Sequence, residues 1–507
     1  MRDYAETIGF LGQWGRFQQI VFFSLVATIM PNGFGAFTLV FLTDTPSHHC
    51  LVSGINLTED WRKSVIPIKE VDGKQELSRC SRYRLDVVRN LSAQGYIPGR
   101  DVNLTDLEEE GCVDGWSYSK DIYESTIVSE FDLVCSNQWK QPFTSTVFFV
   151  GGLLGSFLSG QLSDRYGRKP VLFAALALQT VFTFAQVFSG SWIMFLIILF
   201  INGLGQMSNF VAALVLGSEV LTGKVRVLYS SLGTCLGFAI GYMILPLLAY
   251  FLRDWKSLSL ALSLPCVAYV PFWWLMPESP RWLLSRGRVE EAEAIIRTAA
   301  KWNKVQAPRI IFEDCGMKKT LSFPFDFPRF TMIVGYYSLS FNTAQLHENP
   351  YISCFISAVV EIPAYISSWM ALLYLPRRLS VILTLVFGAV PLYLIQLVPD
   401  DLSNLALALE MLGKYSITTG SSLMFAYTAE LYPTVLRNTA TGISNTVSRI
   451  GSCIAPLLLS LGMYYKYLPY IILGSLAVVA AFAALFLPES FKKPLPETIE
   501  QMQRRER

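Results

Sequence analysis

Apolar runs of about 20 residues recur along this chain from Phe17 to Leu487, and no other feature restricts its fold so much. About 20 apolar residues of helix cross the hydrocarbon of a bilayer, and there every backbone N–H and C=O must be bonded inside its own segment. Six runs, near 17–42, 143–162, 171–187, 192–216, 228–251 and 258–276, precede a charged stretch. Six more follow, near 330–346, 352–375, 381–398, 402–425, 439–463 and 468–487. With 52% hydrophobic and 16% charged residues the solvent of this chain is lipid, and a net charge of +2 leaves no basic footprint for nucleic acid. The expected class is an all-α membrane protein of twelve helices. An even number of spans puts both termini on one side.

Basic residues of the short loops set the orientation. Arg165, Arg168, Lys169, the cluster from Arg281 to Arg309, and Arg377-Arg378 all fall on the side of the termini, which is therefore expected to be cytoplasmic. The stretch 43–141 then lies outside. It carries Cys50, Cys80, Cys112 and Cys135 beside the sequons of Asn56, Asn90 and Asn103, the pattern of an oxidised, glycosylated loop. Four cysteines allow three pairings, and the sequence does not choose among them. No h-region precedes the first run, so no cleavable signal is expected. The expected divisions are a cytoplasmic N-terminus 1–16, a six-helix bundle 17–276, a cytoplasmic linker 277–324, a second bundle 325–488 and a cytoplasmic tail 489–507. Within the linker, residues 288–301 have the periodicity of an amphipathic helix under the bundle.

The halves are copies. Glu219 and Arg226 stand seven apart beyond the fourth run, as Glu430 and Arg437 do beyond the tenth. Pro277-Glu278-Ser279 ends the sixth run as Pro488-Glu489-Ser490 ends the twelfth, and both motifs are displaced by 211 positions (219 to 430, 277 to 488). Parallel repeats of this kind place a binding site at midplane between halves.

Between the second and third runs lies Gly160-Gln-Leu-Ser-Asp-Arg-Tyr-Gly-Arg-Lys169, a tight charged turn, with a degraded echo in Leu375-Pro-Arg-Arg378. The turn resembles the signature loop of the major facilitator superfamily. Further stretches, Met1-Arg-Asp-Tyr4, Pro31-Asn-Gly-Phe34, Asp114-Gly-Trp116, Pro277 to Leu284 and Thr428 to Thr434, resemble the organic cation and carnitine branch of the solute carrier 22 organic ion transporters. The resemblance covers residues 1 to about 503. It implies a multi-pass carrier of the plasma membrane that works by alternating access and needs no cofactor.

Ionisable groups inside spans are expensive and mark function. Arg449 lies within the eleventh run, where a guanidinium presents a planar fork to a carboxylate. The resemblance assigns it a zwitterionic substrate, with Asn209, Phe210 and Tyr427 as further contacts; Phe34, Tyr242 and Phe425 are other aromatic candidates for a quaternary ammonium. Phe210 replaces a tyrosine of the carnitine members. Gln179, Gln206 and Glu430 resemble the polar cluster that couples sodium, whereas Glu430 by spacing belongs to a charge latch of Asp164, Arg165, Arg168, Glu219, Arg226 and Arg437. Glu410 and Lys414, four apart, suggest an internal helical pair. Gly217 to Val225 only approximates a phosphate loop, so no nucleotide is expected, nor a resident metal, nor an enzyme.

The seventh run is poor: its apolar stretch, 331–341, is eleven residues. Three functional expectations follow. The first is sodium-coupled uptake of carnitine or a related zwitterion. The second is a sodium-independent or proton-driven carrier of organic cations or ergothioneine. The third is an isoform whose short seventh span leaves it transport-defective.

Overall fold

The computed structural model describes residues 4–53, 56–71, 73–312, 327–346, 349–431 and 437–489, with backbone alone for 343–346, 429–431 and 437–443. Glu430 and Arg437 therefore have side chains outside the described ones, and Cys315 lies outside them altogether.

The chain forms two compact units, one of residues 1–40, 142–252 and 256–507, the other of 41–141 with 253–255. Among the described residues the first unit contains twelve long helices. Those of the first half are α1 (Arg16–Leu42), α2 (Lys140–Tyr166), α3 (Arg168–Gln186), α4 (Trp192–Val220), α5 (Gly223–Phe251) and α6 (Trp255–Leu275). Those of the second are α7 (Phe327–Leu346), α8 (Pro350–Tyr374), α9 (Arg377–Leu397), α10 (Ser403–Leu431), α11 (Arg437–Ser460) and α12 (Leu468–Ala484). Eight helices of the described chain are long and apolar enough to cross a membrane by composition alone. Of the others, α12 is apolar but shorter, at 17 residues. Pro265 and Pro271 interrupt α6, whose helical hydrogen bonding lapses between Val267 and Phe272.

Where backbones must approach, glycine makes room. A Cβ on Gly203 of α4 would lie 2.2 Å from the Phe148 carbonyl oxygen of α2, so no larger residue fits. The seventh helix runs 20 residues, about 30 Å, and so the expectation of an abnormally short span applies only to its apolar part. Its polar end continues as helix because α12 receives it: the Asn342 amide donates to the Tyr470 hydroxyl.

Helices alternate in direction, so the turns after α2, α4, α8 and α10 and the starts of α1 and α7 share one end of the bundle, here the turn face. The linker helix Val289–Asn303 packs there. Ala292, Ile296, Ala299 and Ala300 join Tyr4, Ile8 and Leu11 in one buried cluster. Asn303 also caps α1 from 286 positions away, accepting the Phe17 N–H at 2.9 Å.

The second unit has three antiparallel strand pairs: β1 (His48–Cys50) with β6 (Trp116–Tyr118), β2 (Ile68–Val71) with β3 (Lys74–Leu77), and β4 (Ser81–Tyr83) with β5 (Glu109–Gly111). Its core is small, centred on Trp61, Val65 and Val88. Disulfides Cys50–Cys112 and Cys80–Cys135 resolve the pairing that the sequence leaves open. Closing loops of 62 and 55 residues, each stabilises the fold by about 4 kcal/mol, which a core of this size needs. Asn56, Asn90 and Asn103 are exposed.

Asp44, beyond the end of α1, accepts 2.6 Å and 3.0 Å bonds from the Tyr123 hydroxyl and the Thr45 N–H, yet burial pushes its carboxyl up to about 6. A raised acid favours the folded state in its protonated form. Its contribution is full below the ordinary value of 3.8 and is lost as pH rises through about 6. Between pH 4 and pH 7.5 the wild type should lose roughly 2 kcal/mol relative to Asp44→Asn, read from thermal unfolding of the purified protein. Parallel pH profiles would contradict this.

Candidate substrate site

A cavity lies between the halves of the first unit. Its walls come from the stretch of each helix nearer the turn face: Phe210 and Leu214 of α4, Ser230 to Phe238 of α5, Arg329 to Tyr337 of α7, Thr418 to Phe425 of α10, and Asn445 and Arg449 of α11. Past it, towards the other end, aromatic rings from both halves interlock. Phe37 of α1 stacks on Tyr242 of α5 at 4.1 Å and meets Tyr336, Tyr337 and Phe341 of α7 at 5.7–6.0 Å, while Phe149 of α2 meets Tyr337 at 4.9 Å. These rings pack the two halves together on the side of the cavity away from the turn face.

Arg449 points into this cavity. Its guanidinium donates a 2.9 Å bond to the Tyr337 hydroxyl and lies 5.7 Å over the Phe210 ring. Among the described residues no carboxylate comes within ion-pair distance of it, since Glu219 is committed to Arg168 and Glu361 to Lys414. A half-buried cation with that shortage of countercharge is ready for an anion. Arg329, which sequence reasoning missed, shares the cavity; it bonds Asn445 at 2.8 Å and stacks over Phe425 at 5.0 Å. Its position at the start of α7, beside a proline and a charged linker, gave no sign that it faces inward.

Phe210 lines the cavity, whereas Asn209, about 100° around α4, turns to α1. There a cluster of amides meets the helix at Pro31. Asn209 Nδ2 donates to the Thr28 carbonyl at 3.1 Å, Gln206 Nε2 to the Asn32 carbonyl at 2.9 Å, and Gln179 Nε2 to the Pro31 carbonyl at 3.4 Å. The other ends of these amides, Gln179 Oε1, Gln206 Oε1 and Asn209 Oδ1, are buried without a hydrogen-bond partner among the described residues. A Cβ on Gly35 would lie 2.8 Å from Gln206 Oε1 and 3.3 Å from Gln179 Nε2, so the two side chains converge on one point. Buried orphan oxygens of this kind are costly, and they suit a hard cation. Asn32 lines both this cluster and the cavity, and the sequence reading had not singled it out.

Tyr427 is corrected. Two positions past Phe425 it faces about 200° away, into the core with Met332 and Met424, and its hydroxyl donates to the Pro488 carbonyl. Tyr242 belongs to the interlocked rings. The expected Glu410–Lys414 pair is also corrected: Lys414 Nζ reaches across to Glu361 at 3.3 Å, both wholly buried, while Glu410 meets the Asn342 amide and accepts a 3.4 Å bond from Tyr470. A helical spacing of four permits contact; here the facing helix offers the better-bonded carboxylate.

At the turn face Arg168 binds Glu219 at 3.0 Å and Asp164 at 2.6 Å. Ser279 also donates to Glu219, and the Glu278 carboxylate caps α3 by accepting the N–H groups of Arg168 at 2.9 Å and Lys169 at 3.2 Å. Gly167, at φ 109°, makes the turn that allows it. Glu489 accepts the N–H groups of Arg377 at 2.9 Å and Arg378 at 3.1 Å, so the degraded echo keeps the cap. Arg165 is exposed over the Tyr166 ring, outside the Arg168–Glu219 pair, and Arg226 is half-buried in the first turn of α5.

Two parallel six-helix halves around a largely apolar cavity with a few inward-facing charges define a transmembrane carrier. A model described as Major Facilitator Superfamily matches residues 138–456. The xylose transporter XylE of E. coli in a partially occluded inward open conformation superposes with a TM-score of 0.59 at 14% identity, covering 94% of this chain and 100% of that one. Organic cation/carnitine transporter 2 of Rattus norvegicus and of Homo sapiens are each 50% identical over 99% of this chain and 94% of their own lengths. Solute carrier family 22 member 4 of Mus musculus is 50% identical over 99% of this chain and 95% of its own length. The chain belongs to the major facilitator superfamily and, within it, to the organic cation/carnitine transporters of solute carrier family 22. It is a multi-pass membrane transporter, not an enzyme.

Arg168 and Glu219 are each 12% exposed and Asp164 62%. Glu219→Gln, which strands a buried guanidinium, should cost about 3 kcal/mol, and Asp164→Asn less than about 1 kcal/mol, in thermal unfolding of the detergent-solubilised protein. Equal losses would count against this account of the turn.

Proposed function

We propose that this protein takes up carnitine or a closely related zwitterionic quaternary ammonium across the plasma membrane, coupled to sodium, by alternating access. The observation that carries the proposal is the cavity-facing guanidinium of Arg449, bonded by Tyr337 and without a carboxylate partner among the described residues. A carboxylate fits it as a bidentate, charge-assisted pair. The substrate's ammonium has no N–H to give, so it rests on ring faces, and Phe238 and Tyr336 line the same cavity.

Sodium, as the co-transported ion, is assigned to the oxygens of Gln179, Gln206 and Asn209. These amides hold α1 near Asn32, which also borders the cavity, so ion and substrate would act on the same helix. The interlocked rings pack the halves together away from the turn face, which supports an inward-facing state with the turn face cytoplasmic. Under that orientation both termini are cytoplasmic, and the unit with disulfides and exposed sequons lies outside. The Arg168–Glu219 pair, joined by Ser279, keeps α2, α3, α4 and the start of the linker moving as one body as the halves rock.

Radiolabelled carnitine uptake by cells expressing the protein should fall at least tenfold when N-methylglucamine replaces sodium. Arg449→Ala should abolish it at unchanged surface abundance. Gln206→Leu should instead raise the half-saturating sodium concentration about tenfold. Sodium-independent uptake would point to the organic cation or ergothioneine exchanger, and undiminished uptake by Arg449→Ala would sink the substrate assignment.

A further inference from the structure

One wholly buried ion pair has no part in the reading above. Lys414 of α10 uses every N–H it has: it donates to Glu361 Oε1 at 3.3 Å, to the Ser357 carbonyl at 3.1 Å and to the Ser357 hydroxyl. Its ammonium also stands 4.7 Å over Tyr242 and 5.6 Å over Tyr336. Tyr242, in the first half, donates to the Ser357 hydroxyl at 3.1 Å. Lysine, serine and tyrosine therefore clamp α5 of one half to α8 and α10 of the other, at the end of the interlocked rings.

Glu361 faces two ways. Besides Lys414 it accepts a 2.6 Å bond from the Tyr336 hydroxyl and a 3.4 Å bond from the Tyr365 hydroxyl. Both tyrosines line the cavity, while Glu361 itself does not. One buried carboxylate thus stands one hydroxyl away from the space where a cationic substrate would sit. A lysine ammonium held by aromatic faces and a carboxylate is also chemically what a bound quaternary ammonium would be.

We propose that Lys414 is a tethered competitor of the substrate's ammonium group for Glu361, and that the substrate's arrival releases the clamp at the end of those rings. The proposal rests on the reading that the substrate carries a quaternary ammonium. As that charge enters, Tyr336 and Tyr365 draw Glu361 towards it, Lys414 loses its countercharge, and its bonds to Ser357 weaken. An empty carrier keeps the end shut, and a loaded one can open it. Lys414 is a positioning residue and does not touch the substrate.

The test compares carnitine with its carbon isostere, in which carbon replaces the ammonium nitrogen, by binding to the purified protein and by uptake. Lys414→Met should tighten carnitine binding and lower its KM about tenfold, leave the isostere unchanged, and lower the maximal rate; Lys414→Arg should keep wild-type values. A KM that is unchanged, or that moves alike for both compounds, overturns the proposal. Should Lys414→Met fail to reach the surface, the pair Lys414→Met with Glu361→Gln removes both charges. Its preference for carnitine over the isostere should fall below that of the wild type, and an unaltered preference overturns the proposal. Failure of the wild type to transport carnitine would instead count against the proposed substrate, because the binding ratio is read without transport.

Discussion

A charge inside a bilayer has no water to fall back on, and most of this protein is arranged around that fact. Lys414 is wholly enclosed, and every one of its N–H bonds is answered by Glu361 or Ser357. Arg168, at the rim, is answered by Glu219 and Asp164. Arg449 stands apart from both. Its neighbours are a hydroxyl and a ring, and no carboxylate among the described residues neutralises it. The amide oxygens of Gln179, Gln206 and Asn209 repeat the situation with the opposite polarity. An anion-seeking group and a cation-seeking cluster, joined through Asn32 of α1, are what a carrier of a zwitterion with a cation requires.

Stability and function are divided between different parts of the fold. The carboxylate caps at Glu278 and Glu489, in corresponding places of the two halves, tie each half's helix turn to the chain that leaves it. Between the halves the contacts are of another kind: stacked rings and the Lys414–Ser357–Tyr242 bonds away from the turn face, the cavity nearer to it. Halves with a breakable seam can rock without unfolding, and the price of breaking the seam falls on a few named side chains.

The parts legible in the sequence are those that repeat along one helix or one chain. Apolar length gave the spans, an equal displacement of two motifs gave the halves, and a lone arginine in an apolar run gave Arg449. What was not legible depends on which way a helix is turned. Tyr427 and Phe425 are two residues apart and face opposite surroundings. Lys414 has a carboxylate four residues away on its own helix and pairs instead with one across the bundle, which a spacing rule cannot foresee. Arg329 carried no pattern, and Asn32 stood only as part of the stretch Pro31–Phe34; the packing of α7 and α1 brings them to the cavity. The seventh helix outruns its short apolar stretch, because Asn342 is polar in sequence but bonded in the fold.

The central claim is that Arg449 recognises the substrate's carboxylate. Its most direct test is the binding of carnitine and of carnitine methyl ester, which lacks that charge, to the purified wild type and to Arg449→Ala. The account predicts that the wild type binds the ester about a hundredfold more weakly and that the variant binds the two alike. The same preference for carnitine over its ester in both proteins would contradict it.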